Sequence, residues 1–130
     1  MAYYYTTTVT GITFSEAIER VTAELQKEGF GVLTEIDVQA TFKKKLDIDF
    51  RKYRILGACN PTFANKAITA EDKIGVFLPC NVVLQEHENG SIEITAVDPV
   101  ASMMAVQNNA LGDVAQEVQA RLQKVIAAME

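Results

Sequence analysis

Asn89-Gly90 stands between two apolar-rich stretches, Gly75 to Gln85 and Ser91 to Val97, and constrains the fold more than any other local feature. The tightest hairpin turn needs positive φ at both central residues, which Asn and Gly tolerate best, so the flanking segments must run antiparallel. A sheet begun this way needs a cover on at least one face, and two amphipathic helices are written on either side of it. Thr13 with Glu16 three residues on forms a capping box. Phe14, Ala17, Ile18, Val21 and Leu25 then repeat at helical spacing up to a stop at Gly29. Asp98-Pro99 supplies a second cap with proline in the first turn, and Leu111, Val114, Ala115, Val118, Leu122, Val125, Ile126 and Met129 form the later stripe.

Shorter elements lie between. Tyr3 to Val9, Phe30 to Ile36 and Phe50 to Ala58 have strand composition. Asp37 caps a helix ending near Leu46 that offers Ala40 and Phe42 for burial, and Thr62 to Ala70 forms another after Asn60-Pro61. The order is β-α-β-α-β-α-β-β-α, and each long helix is apolar on one side. That pattern predicts a single α+β domain over residues 1–130. Its sheet is curved and mainly antiparallel, with the first and last helices packed on one face. Pro79 falls inside the fourth predicted strand, where its missing N–H fits an edge or a bulge. An edge strand with Val76, Leu78, Val82 and Leu84 nearby would give a homodimer surface; the other reading is a bulge within a monomer.

At 130 residues one core is expected, with no need of a metal or disulfide to hold it. A net charge of -5 lacks the clustered cations that bind phosphate backbones, so no nucleic-acid partner is expected. The stretch Ile74 to Leu84 is too short to cross a bilayer, and Met1-Ala2-Tyr3-Tyr4-Tyr5 lacks the basic start of a signal peptide. With only two cysteines, the chain reads as cytoplasmic, with reduced thiols and no membrane association.

Those cysteines carry the main functional signal. Each precedes an asparagine, and each step abuts a proline in mirror order: Ala58-Cys59-Asn60-Pro61 and Pro79-Cys80-Asn81-Val82. Strand ends and interruptions release backbone polar groups that can face a ligand, and the Asn amide adds two donors and an acceptor. Three uses follow from these residues. Cys59, Asn60, Pro61, Pro79, Cys80 and Asn81 could build a site for a small molecule or a soft metal ion. The thiols could instead serve a thiol-dependent enzyme or redox sensor. Finally, Cys80 with Val82 and Leu84 on its face, and Cys59 alternating with Tyr53, Ile55 and Gly57, could simply be packing residues of a structural or protein-interaction domain. Two ligands alone do not complete a zinc site, and the spacing is not Cys-x-x-Cys.

Other signals are weaker. His87 lies between Glu86 and Glu88 at the hairpin, and could pair with a thiol only if the fold joined them. Lys43, Lys44, Lys45, Arg51, Lys52 and Arg54 hold half of the 12 basic residues and could attract an anionic ligand or acidic partner; a solvated helix end is the plainer reading. No phosphate-binding glycine loop, Ser-His-Asp order or His-Glu-x-x-His helix occurs, so the residues assign neither a cofactor nor a catalytic group.

The central stretch resembles a known family. Tyr53-x-Ile55-Leu56-Gly57-Ala58-Cys59-Asn60-Pro61, then Ala64 and Ala67, then Ile74-Gly75-x-x-Leu78-Pro79-Cys80-Asn81-Val82 are similar to the signature of the bacterial and archaeal domain of unknown function 302. Glu35-Ile36-Asp37, Asp98-Pro99 and the Val114 to Val125 helix extend the resemblance over nearly the whole chain. It implies a compact α+β domain with a curved antiparallel sheet of the TATA-binding-protein-like class and a homodimeric state. No activity comes with it, and DNA binding does not follow from the fold class.

Overall fold

A computed structural model describes residues 2–130. Five strands, β1 (Tyr4–Val9), β2 (Gly31–Asp37), β3 (Tyr53–Cys59), β4 (Cys80–Glu86) and β5 (Ile92–Val97), form one sheet in the order β1-β5-β4-β3-β2, antiparallel throughout. The hairpin between β4 and β5 is made, but not as the two-residue turn with both central residues at positive φ. Only Gly90 is left-handed there (φ 85°); the Gly90 N–H donates to the His87 carbonyl, and the His87 N–H donates to the Ser91 carbonyl, so the loop is longer. Five helices accompany the sheet: α1 (Phe14–Lys27), α2 (Val38–Leu46), α3 (Pro61–Ala70), α4 (Pro99–Ser102) and α5 (Gly112–Met129). Single 3-10 turns cover Ile74–Phe77 and Asn109–Leu111.

One core lies between the sheet and the pair α1/α5. Alternation along the strands sends Leu56, Ala58, Cys80, Val82, Leu84, Ile92, Ile94 and Ala96 to the helix side, all buried. They meet Ala17, Val21 and Leu25 of α1 and Val118, Leu122, Val125 and Met129 of α5. The opposite sheet face is polar and open, with Thr6 hydrogen-bonded across the strands to Thr95 and Glu93. Local chemistry fixes the helix starts: Thr13 and Glu16 complete their reciprocal cap on α1, and the Asp98 carboxylate accepts from Val100 and Ala101 at the head of α4. Asp98 also accepts from Gln119 Nε2, tying α4 to α5. Burial, and then the Asp98 carboxylate, pushes the nearby Tyr5 phenol above its ordinary pKa.

Three expectations need correction. β4 is the central strand of the five, so Pro79 is not on an edge, and Val82 and Leu84 lie in the core rather than on a dimer surface. The strand starts only at Cys80; Ile74–Phe77 is a 3-10 turn that buries Ile74 and leaves Val76 82% exposed. The Leu78–Pro79 peptide bond is cis. Proline therefore marks the entry to the strand, where its missing N–H breaks no ladder bond. α2 buries none of its residues; Ala40 is exposed, and Phe42 meets Phe50 edge-on at 5.0 Å between centroids.

Candidate functional site

The antiparallel register answers the question left by the distance between the cysteines along the chain. Ala58 stands directly opposite Cys80, so Cys59 is one residue out of step with it. Strand spacing and rise place the two cysteine Cα atoms about 6 Å apart. One Cys-Asn step closes β3 and the other opens β4, its antiparallel neighbour, so the two meet at the same end of the sheet.

Gly57 makes that end possible. A Cβ there would stand 2.1 Å from Thr34 Oγ1 and 2.8 Å from Pro79 Cγ, so only glycine lets β2 and the Pro79 ring close over β3. Next along the chain, Asn60 turns strand into helix. Its Oδ1 accepts from the backbone N–H groups of Thr62 (3.1 Å) and Phe63 (3.3 Å), and Pro61 follows in the first turn of α3. Asn60 also packs on Gly29, where φ is 85° and a Cβ would lie 2.8 Å from Asn60 Nδ2.

Beneath α3 opens a cavity of about 320 Å³. Phe30, Ala58, Cys59 and Cys80 wall it from the sheet side; Phe63, Ala64, Ala67 and Ile68 of α3 roof it, and Pro99, Met103, Val114 and Val118 close the far side. Ala64 and Ala67 leave the space, being too small to fill it. Leu33 and Ile68 line the cavity yet are 70% and 45% exposed, which puts them at its mouth. Leu33 is there because β2 is irregular at this point: its pairing with β3 shifts between Val32 and Thr34. A second cavity of about 260 Å³ lies across the shared wall of Leu78, Pro79, Cys80, Pro99 and Met103, with Asn81 on its lining.

Of the six residues singled out in the sequence, Cys59, Asn60, Pro79 and Cys80 line the larger cavity and Asn81 the adjoining one. Pro61 lines neither and belongs to the start of α3. Phe63, Met103 and the Gly75 segment were not anticipated; the small residues Ala64 and Ala67 at helical spacing were the available sign of a roof with space beneath it.

The thiols differ. Both are free, Cys80 buried and Cys59 partly exposed. Burial, helped by Cys59 nearby, pushes the Cys80 thiol up to about 11, so it keeps its proton at neutral pH. Iodoacetamide near neutral pH is expected to modify Cys59 first and Cys80 only after denaturation, read by intact-mass spectrometry on Cys59→Ser and Cys80→Ser proteins. Equal, rapid labelling of both would contradict this environment.

The remaining candidates lie elsewhere. His87 Nε2 is 3.1 Å from Glu93 Oε1, and His87 lines a separate polar recess with Arg51 and Glu88, so no Cys-His pair is built. The basic segment is answered locally in part: Lys43 pairs with Asp47 and Asp49, Arg54 with Glu35 and Asp37, and the Arg51 guanidinium lies 4.4 Å from the Phe50 ring centroid. Among the described residues no group of three or more His, Cys, Asp or Glu side chains gathers in a way that could hold a metal. No helix is long and apolar enough to cross a membrane.

Comparison with known proteins agrees with this architecture. A crystal structure of an uncharacterized conserved DUF302 protein from Bacillus stearothermophilus is similar over 100% of both chains, with 30% identity and a TM-score of 0.90. No curated protein matches. The family model for the domain of unknown function DUF302 matches residues 5–129, and the chain belongs to that family.

Proposed function

We propose that this domain binds a small, largely apolar molecule in the cavity under α3. The observation that carries this reading is the convergence of Cys59, Asn60, Pro79 and Cys80 on one cavity of about 320 Å³ with an apolar wall and an open mouth. Pockets for small molecules are typically of this size and lining, with a few polar groups to orient the guest. Thr34, Cys59 and Asn60 are the polar residues on this lining, and Cys80 contributes a protonated, soft surface. A soft metal would have to displace the Cys80 proton against the same burial, and a thiolate enzyme would need it gone already. Both alternatives suit this wall less well than an apolar guest.

The neutral fluorophore N-phenyl-1-naphthylamine tests the proposal. Saturable, one-to-one fluorescence enhancement is expected with the native protein. Ala67→Trp, which fills the cavity from its roof, should weaken binding at least about tenfold, given the hydrophobic burial it displaces. Ala64→Leu provides a milder filling should the tryptophan disturb the fold. Absent or non-saturable enhancement, or equal affinity in both folded variants, would overturn the proposal.

A further inference from the structure

We infer that Met103 limits the length of the guest: the cavity under α3 takes an uncharged aliphatic chain of about ten to twelve carbons, and the Met103 side chain stops it there. The inference rests on that cavity being a binding site and adds the class of guest and the residue that selects it.

Size and lining set the class. An apolar cavity of about 150 Å³ takes one benzene ring. At about 320 Å³ the cavity under α3 holds roughly twice as much, a chain of about ten to twelve carbons. Among the described residues that line it none is charged, so a guest carrying charge would be desolvated there without an ionic partner. Exposed Leu33 and Ile68 mark the mouth, where the hydroxyl of a long-chain alcohol can stay in water.

What ends the cavity is a thin wall. Leu78, Pro79, Cys80, Pro99 and Met103 separate it from the second cavity of about 260 Å³, and Val76, Phe77 and Val97 continue the apolar lining beyond. Most of that wall is held by the fold. Pro79 and Pro99 are rigid rings, and Cys80 is paired with Ala58 inside the sheet. Leu78 closes the 3-10 turn, its N–H donating to the Gly75 carbonyl. Met103 stands outside the sheet, just past the four residues of α4, and its unbranched side chain has three rotatable bonds. Shortening it opens the wall and leaves strand, turn and both prolines in place.

Straight-chain 1-alkanols from hexanol to tetradecanol, displacing N-phenyl-1-naphthylamine below their solubility limits, read the length limit. With the native protein, affinity should rise about fourfold per methylene, the value of burying one such group, and level off at about ten to twelve carbons. Tetradecanol should then bind within about threefold of dodecanol, whereas in Met103→Ala it should bind at least about fivefold tighter than dodecanol. Met103→Val is the milder shortening should the alanine protein fail to fold. Met104→Ala, at the exposed neighbouring position, should keep the native limit. Native affinity that climbs unbroken through tetradecanol, or one limit shared by the native protein and the folded Met103 variants, would overturn the role of Met103 while leaving an apolar site in place. Dye that binds and yields to no alcohol would overturn the aliphatic guest alone; failure of the dye to bind would overturn both readings.

Discussion

Gly57→Ala should lower the unfolding free energy by about 3 kcal/mol, since it forces a methyl group into a packed contact. The added Cβ meets Thr34 Oγ1 at 2.1 Å and Pro79 Cγ at 2.8 Å. Thr34 is β-branched with few rotamers, and the proline ring is rigid, so neither can move aside cheaply. Urea denaturation is the measurement, with the midpoint falling at unchanged m-value. Thr34→Ala in the same chain should recover part of the loss and not all of it, because Pro79 remains. A single variant within about 0.5 kcal/mol of the native protein, the range of ordinary surface changes, would show that the strand end is looser than these contacts indicate. The effect should reach the cavity, since the segments displaced carry Thr34, Cys59 and Pro79 on its lining.

The second large effect is alkaline. Cys80 holds its proton up to about 11 in the folded state, against 9.0 for an unperturbed thiol, because burial disfavours the thiolate. Below pH 9 both states keep the proton and the group leaves stability unchanged with pH. Between pH 9 and 11 the unfolded chain releases the proton and the folded one does not, so stability falls as pH rises. Two units amount to about 3 kcal/mol. Tyrosines and lysines titrate in the same window, so the quantity to measure is the difference from Cys80→Ala at each pH. That difference should be constant up to pH 9 and then move by about 3 kcal/mol in favour of the variant by pH 11. A difference that stays flat to pH 11 would mean Cys80 ionises freely in the folded protein.

The elements with strong local chemistry were legible from residues alone. Thr13 and Glu16, Asp37, Asp98-Pro99 and Asn89-Gly90 each specify a cap or turn through contacts a few residues long, and each is where it was expected. The stripe from Phe14 to Leu25 likewise needs only helical spacing and a core to face; Phe14, Ala17, Val21 and Leu25 are buried. What failed was the run from Gly75 to Pro79. A short apolar stretch fits a strand or a buried turn equally well, and its fate depends on what packs above it. Here Ile74 joins Ala67 and Leu111 in a small cluster of its own, which pulls the segment out of the sheet. The meeting of the Cys-Asn steps had a sign in the mirror order of the prolines. A motif that ends one strand and begins its antiparallel neighbour reverses its flanks, but the pairing of β3 with β4 is long-range and not encoded in either step. The contact of Arg121 with the Phe63 ring was hidden for the same reason, since it forms only when α3 settles beside α5.

The break in β2 at Leu33 also makes the two margins of the sheet unequal. An extra strand laid along β2 would lose its hydrogen-bond run where the pairing shifts, and would have to pass the exposed Leu33 side chain. Along β1, all six residues from Tyr4 to Val9 keep unbroken register with β5, leaving a regular outer row of backbone groups. A strand added laterally would therefore meet a regular register on one side only. Two copies joined through their β1 margins about a two-fold axis would present only interrupted margins outward, so assembly by that route stops at a pair and cannot propagate into a fibre.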